Sequence, residues 1–422
     1  MRIWLISQCN PNKPGGIATH ISLLDRGLKT LGHEVEVIAS GSMPGFANRA
    51  LISVPMRVIN KVQHGKGVLY AAKVHGLKMG SKTRWRILRD GAPSFFGCQD
   101  VLSVDRIIRL RENPNMNSQH VPIVLTVHSR YTYEKVGQGW IKAGSDAEHN
   151  LLEIERNACL NADAVVAVSD QIRMYIEELI APEHRDIHVL RNATDTDVFM
   201  PNHDEQSRAQ IRAKYGISQT AFVVLCSGHL QEIKGVDYAA KAALLMCQQH
   251  PEADWQLVFA GDGKLRSWLE TFIQEHKMGD HIKLLGSQPY SNMPDLYGAS
   301  DALVMPSVPT YRAEESLGIS ALEASACCLP VIGSTSGGIK EVVTDGKTGI
   351  LVSPKEVEPI AHAIWRLYSD RSECQRLGIK GREFVTTYHD YNAHAEKYAA
   401  IGSLQAECPK PTSELFRDEA AG

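Results

Sequence analysis

A single pattern, stated twice, constrains the fold of this chain more than any other feature. Short runs of aliphatic and β-branched residues alternate with longer segments of helical periodicity. Arg2–Ser7 reads as a strand, Gly15-Gly16 as the turn after it, Ile17–Leu31 as a helix stopped by Gly32, and Val35–Ala39 as the next strand. Further strands are expected at Asp100–Val104, Val121–His128, Ala164–Val168 and Ile187–Leu190, with a helix over Ala147–Leu160. The succession restarts at Phe222–Ser227, followed by Gly228-His229, and continues through Trp255–Ala260, Ile282–Gly286 and Ala302–Met305. Tyr290–Ala299, Pro359–Tyr368 and Arg371–Tyr388 carry helical spacing. Parallel strands need helical crossovers, so the alternation implies α/β architecture with a parallel sheet in each half. A chain of 422 residues is too long for one compact core, which agrees with two Rossmann-like domains.

Composition removes several classes of function. A formal net charge of -3 argues against a nucleic-acid binder, whose domains are strongly basic. Nine scattered cysteines without a C-x-x-C pair favour reduced thiols and a cytoplasmic setting over a disulfide framework or a zinc site. The apolar run Ile3-Trp4-Leu5-Ile6 is too short for a signal peptide, and no run approaches the ~18 apolar residues of a membrane span.

Chemistry concentrates at Glu315-Ser316-Leu317-Gly318-Ile319-Ser320-Ala321-Leu322-Glu323. The spacing predicts a loop turning into a helix, with free amides at the helix start and a carboxylate on either side. Such a start receives anions such as phosphate, while the carboxylates can hold sugar or ribose hydroxyls. The bland alternative is two exposed surface charges. Gly15-Gly16 would let backbone approach a ligand, although the turn lacks the G-x-G-x-x-G dinucleotide pattern. His20 lies one helical turn further on. His128, followed by Ser129-Arg130-Tyr131, ends a strand, and strand ends are where ligands bind in open α/β sheets. Asp195-x-Asp197 invites a metal-binding reading. We set it aside, because a metal needs more convergent oxygen ligands than a linker supplies. Residues 43–89 contain ten Lys and Arg and no Asp or Glu, with apolar residues interleaved. That reads as one or two basic amphipathic helices suited to an anionic membrane surface or acceptor; the alternative is a solvated helix pair packed on the first domain.

The segments Leu329-Pro330-Val331-Ile332-Gly333-Ser334-Thr335-Ser336-Gly337-Gly338-Ile339-Lys340-Glu341 and Asp345-Gly346-Lys347-Thr348-Gly349 complete the picture. With the glutamate loop they resemble the donor-site signature of glycosyltransferase family 4, of the GT-B fold. Matching motifs run from Gly15-Gly16 to Lys347. The resemblance implies an acceptor-side domain over 1–198, a nucleotide-sugar domain over 199–388, a helix over 389–404 crossing back to the first domain, and a disordered tail over 405–422. It implies a retaining, metal-independent transfer of a sugar from a nucleoside diphosphate sugar to an acceptor hydroxyl, without a cofactor. The product would be a cell-surface polysaccharide, glycolipid or related glycoconjugate. The basic segment 43–89, apart from the resemblance, favours a lipid-linked or phosphorylated acceptor over a neutral free sugar, for a cytoplasmic protein that can also sit peripherally on the inner membrane face.

By the same resemblance His128, Lys234 and Glu315 serve catalysis. Gly16, His229, Lys234, Leu285, Glu315, Leu317, Gly318, Ile319 and Glu323 hold the donor. Gly15, His20, Arg130 and Tyr131 face the acceptor. One departure stands out: His229 occupies the place of the family's arginine, and imidazole lacks a permanent charge and a bidentate fork. Two other readings stay open, a GT-B-like nucleotide-sugar epimerase or phosphorylase and a catalytically weak donor-binding homologue.

Overall fold

The computed structural model describes residues 1–9, 15–40, 49–116, 118, 120–201 and 204–407. The first lobe runs β1 (Arg2–Ser7), α1 (Gly16–Thr30), β2 (Glu34–Ala39), α2 (Val54–Val62), α3 (Lys66–Asp90), β3 (Phe95–Cys98), α4 (Val101–Arg111), β4 (Ile123–Val127), α5 (Tyr131–Gly137), α6 (Asp146–Asn161), β5 (Ala164–Ala167), α7 (Asp170–Ile180) and β6 (Ile187–Val189). The second runs α8 (Glu205–Tyr215), β7 (Phe222–Ser227), α9 (Val236–Gln249), β8 (Trp255–Ala260), α10 (Arg266–Glu275), β9 (Ile282–Leu284), α11 (Met293–Gly298), β10 (Ala302–Met305), α12 (Ile319–Ala326), β11 (Val331–Ser334), β12 (Gly349–Val352), α13 (Glu358–Ser369), α14 (Arg371–Tyr388) and α15 (Tyr391–Glu407).

Both sheets have six parallel strands, ordered β2-β1-β3-β4-β5-β6 and β12-β11-β10-β7-β8-β9. The second is the doubly wound order 3-2-1-4-5-6 written in its own strand numbers. The first reverses direction between β1 and β3, the second between β7 and β10. Ligands of such sheets bind beyond the strand C-termini at these reversals. Two reversals facing one another therefore define one cleft. Strands β3, β4, β5, β8 and β10 are buried along their whole length, as sheets covered by helices on both faces require. This two-lobed arrangement is the GT-B fold.

Helix α15 returns to the first lobe. Tyr398 packs on Phe95 with ring centroids 6.1 Å apart, and Gln99 Nε2 donates to the Tyr398 hydroxyl at 2.9 Å. A Cβ on Gly27 of α1 would lie 2.7 Å from the Ala395 Cβ, so the two helices meet nearly backbone to backbone. The helix extends through Glu407, so 405–407 belong to it and not to the expected tail; 408–422 lie outside the described residues.

One strand assignment is corrected. Asp100–Val104 is not a strand; Phe95–Cys98 pairs with β1 and β4, and a helix begins at Val101. Val101, Val104, Ile107 and Leu110 form its buried face at three-residue spacing, which outweighs the local β propensity of two valines. Asp100 instead ties the lobe together, its carboxylate accepting from the Gln8 amide at 2.6 Å and the Ser7 hydroxyl at 3.0 Å. Among the described residues, no helix is long and apolar enough to cross a membrane.

Candidate active site

The cleft between the sheets encloses about 770 Å³. Two helix starts meet across it. Gly16 opens α1, Ile319 opens α12, and a Cβ on Gly16 would come within 3.5 Å of the Ile319 Cδ1. Helix-start amides, unpaired among the described residues, and the positive ends of both helix dipoles thus converge on one gap, which suits a doubly charged phosphate group.

Backbone chemistry places the charged groups around that gap. Lys234 ends a short 3-10 turn, Glu232–Lys234, and is followed by Gly235 at φ +62°. A side chain at Gly235 would overlap the Pro306 carbonyl, so the lysine is brought hard against the β10 loop. Gly337, at φ +64°, similarly lies against the Glu315 carbonyl, and the Gly338 amide donates to that carbonyl at 2.9 Å. The glycine pair of the signature therefore clamps the glutamate loop from behind. Lys234 Nζ then meets Glu315 Oε2 at 2.6 Å, and the Ser307 hydroxyl donates to the same oxygen at 3.2 Å.

Glu323 sits one turn into α12 and is 4% exposed. The Tyr297 hydroxyl, itself 3.2 Å from Ser227 Oγ, donates to its Oε2 at 2.8 Å. Burial pushes the Glu323 carboxyl up to about 7, while the hydroxyls of Tyr297 and Tyr290 pull the other way. A group of ligand hydroxyls would complete its hydrogen bonding as a carboxylate.

On the opposite wall His128 directly follows β4, with Nε2 3.3 Å from Gln99 Oε1. Burial, helped by nearby His394, lowers it to about 3, so it is a neutral imidazole at physiological pH. It can exchange hydrogen bonds with a hydroxyl but holds no proton to give as an acid.

The cleft collects Gly15, Gly16, His128, His229, Lys234, Glu315, Leu317, Gly318, Ile319 and Glu323 on its walls. Four expected site residues lie elsewhere. His20 stands behind His128, ring centroids 4.6 Å apart, and is wedged against His394 of α15 at 5.2 Å. It is 4% exposed, because the returning helix covers it. Arg130 reaches the other lobe, donating to the Arg312 carbonyl at 2.9 Å, and its guanidinium lies 5.5 Å from the Tyr175 ring. Tyr131 packs into the small apolar cluster of Val68, Ile141, Ala147 and Leu151. Leu285 turns into the second-lobe core, and its successors Ser287 and Gln288 take the cleft wall. Asp195 is committed to the Arg26 guanidinium and the amides of Asp197 and Val198.

Other groups on the wall escaped the sequence reading. Glu134, on α5, faces the cleft from the first lobe. Burial raises its carboxyl, Glu315 adds to the rise, and Lys135, Ser129 and Lys234 oppose it. Tyr290 and Tyr297 are seven residues apart, a spacing that shares a helix face, and this was the available signal for the Glu323 contacts. Cross-lobe bonds frame the cleft: Lys264 Nζ donates to the Gln138 carbonyl at 2.6 Å and Gln171 Nε2 to Glu314 at 2.7 Å. Glu341 receives the amides of Asp170 and Gln171 at the start of α7 at 3.0 and 3.2 Å.

Comparison with known proteins bears on this geometry. Residues 14–198 match the model described as Glycosyltransferase Family 4, and residues 207–384 the model described as Glycosyl transferases group 1. A glycogen synthase of Mycobacterium tuberculosis is 26% identical over 422 aligned residues, covering 95% of this chain and 94% of that protein. A GDP-mannose-dependent alpha-(1-6)-phosphatidylinositol monomannoside mannosyltransferase of Mycolicibacterium smegmatis is 30% identical over 271 residues, covering 63% of this chain and 69% of that protein. Among solved structures, sucrose-phosphate synthase from Thermosynechococcus elongatus superposes with a TM-score of 0.73 at 21% identity, covering 96% of this chain and 98% of that one. The two family models together span both lobes, and the chain belongs to glycosyltransferase family 4.

Proposed function

We propose that this glycosyltransferase moves a sugar, with retention at the anomeric carbon, from a nucleoside diphosphate sugar to an acceptor hydroxyl. The observation that carries the reading is Lys234 paired with Glu315 at 2.6 Å, beside the meeting point of two helix starts. In this reading the diphosphate lies on the amides of Gly16 and of residues 317–319, with Lys234 as its cation. Glu323 holds the ribose hydroxyls, and Glu315 and His128 orient the donor sugar. Charge developing on the leaving diphosphate is met by Lys234 and the helix ends, without a metal or cofactor. The bond from anomeric carbon to phosphate oxygen breaks as the acceptor oxygen attaches on the same face, and its proton passes to the departing phosphate. Exclusion of water by the closed cleft protects the donor from hydrolysis.

The product would be a polysaccharide, glycolipid or related glycoconjugate. A lipid-linked or phosphorylated acceptor is supported by the basic segment, whose residues 43–48 lie outside those described. Peripheral contact with the cytoplasmic face of an anionic membrane goes with that acceptor class. A thermal-shift panel of UDP-, GDP- and ADP-sugars tests donor use, since a ligand at 100 times its dissociation constant stabilises by about 2.7 kcal/mol. The anomeric configuration of the product then tests retention. No shift with any donor would overturn the reading. His229 favours one alternative, a catalytically weak homologue that binds donor without turnover. A donor-induced shift without transfer or hydrolysis would select it.

A further inference from the structure

Helices α2 and α3 present a surface that the transfer chemistry does not use. Seventeen large apolar side chains are exposed among the described residues, and seven of them fall between 51 and 88. Single exposed apolar residues are ordinary, but a contiguous row is not. Val54, Val58 and Val62 recur every four residues and are 47, 55 and 79% exposed, so they form one ridge along α2. Leu51 prolongs it at the preceding turn. No residue of α2 is buried, so none of the described residues covers the ridge. On α3 the exposed positions Lys73, Leu77, Ser81, Arg84 and Leu88 follow the same helical spacing, while Val68, Ala71, Met79 and Ile87 face inward.

The charges are one-sided. Arg57, Lys61, Lys66, Lys73 and Arg84 make no ion pair among the described residues, and no acidic residue occurs anywhere from 43 to 89. An apolar ridge edged by unpaired cations complements an anionic bilayer, with its acyl boundary beneath a layer of phosphates. A nucleic acid would not call for the ridge, whereas a bilayer supplies the apolar layer and the anionic layer together.

The surface is also well placed. Gln8, just beyond β1, donates to the Ala72 carbonyl at 3.4 Å, and Ser40 Oγ lies 2.9 Å from His75 Nδ1. These contacts hold α3 beside the C-terminal edge of the first sheet, the edge on which the cleft opens.

We propose that α2 and the outer face of α3 dock on an anionic lipid surface, with the valine ridge at the acyl boundary and Arg57, Lys61 and Arg84 among the phosphates. The membrane would then deliver the acceptor to the first-lobe side of the cleft. That last point rests on the transfer reading; the docking itself does not.

The test is co-sedimentation of the full chain with vesicles of phosphatidylcholine alone, or with about 30 mol % phosphatidylglycerol. Binding should require the anionic lipid and weaken as salt shortens the Debye length. The triple variant Arg57→Gln/Lys61→Gln/Arg84→Gln should lower partitioning by about 100-fold, at roughly fivefold per basic residue. Val54→Ser/Val58→Ser/Val62→Ser should lower it by at least about tenfold, since each exposed valine then gains nothing at the acyl boundary. Melting temperature and the stabilisation by nucleoside diphosphate sugars should be unchanged in both, which separates this test from that of the transfer reading. Equal sedimentation with neutral vesicles, or variants that bind like the parent, would overturn the proposal. So would a dimer in sedimentation velocity that the valine variant abolishes, because a second copy would then be the ridge's cover.

Discussion

Glu323 gives the sharpest test of the proposed donor side, because its cost to folding and its proposed use in binding have opposite signs. Its carboxyl is raised to about 7 by burial from an ordinary value of 4.5. A carboxyl raised on folding contributes stability that is fully present below pH 4.5 and is lost as pH rises through about 7. At 1.36 kcal/mol per pH unit, holding the buried carboxylate at pH 8 costs on the order of 3 kcal/mol. Glu155, buried between Thr132 and Tyr175 and also raised to about 7, acts in the same direction. The buried imidazoles of His20, His128 and His394, all lowered, act oppositely: their contribution is present above 6.5 and is lost as pH falls below it. The informative quantity is therefore the difference between Glu323→Gln and the parent, in which the other groups cancel. The amide keeps an oxygen for the Tyr297 hydroxyl and carries no charge. The variant should match the parent near pH 4 and melt higher at pH 8, by about 6–12 °C at ~2–4 °C per kcal/mol for a lobe of this size. It should also lose stabilisation by nucleoside diphosphate sugars, since a neutral amide accepts ribose hydroxyls poorly. Melting curves at the two pH values, with and without donor, decide it. A variant less stable than the parent at pH 8, or a gap that is the same at both pH values, would refute the burial argument.

Three further outcomes are expected. Lys234→Met should lower kcat by roughly 10²–10³-fold, the usual loss for one group stabilising developing charge, and donor hydrolysis should fall with it. His229→Arg should preserve or raise turnover, because a guanidinium offers the permanent charge and bidentate fork that imidazole lacks; loss of donor binding would show that His229 has another task. Gly337→Ala puts a Cβ at φ +64° against the Glu315 carbonyl, so it should lower the melting temperature and reduce kcat at least about tenfold by displacing Glu315. Retained activity would mean that the glutamate loop tolerates movement.

Most of the architecture was legible because it is written in short-range terms. Strand and helix periods, with glycines at Gly32 and Gly235, mark elements whose order forces parallel sheets. Asp100–Val104 failed because a four-residue strand holding Gly97 carries less signal than the valines of the helix that follows it. His20 failed for a different reason. Helical spacing places it one turn beyond Gly16, but the side it takes is settled by His394, more than 370 residues away in sequence, on a helix whose packing no local pattern encodes. Arg130 failed in the same way: just before α5 it is turned toward Arg312, while Glu134, one turn into that helix, takes the cleft wall.

This division has a physical cause. In the proposed reading the donor side is assembled from backbone amides, glycines that allow close approach, and a lysine and two glutamates held within a turn or two of them. Local sequence specifies all of these. In the proposed reading the acceptor side is assembled from side chains brought together by α5, α15 and the α2–α3 pair, whose relative placement depends on tertiary packing. A family signature can therefore fix what leaves the donor while remaining silent on what receives it. The unpaired cations and exposed valines of residues 51–88 are visible in both sequence and structure, because among the described residues exposure leaves no partner to alter their meaning.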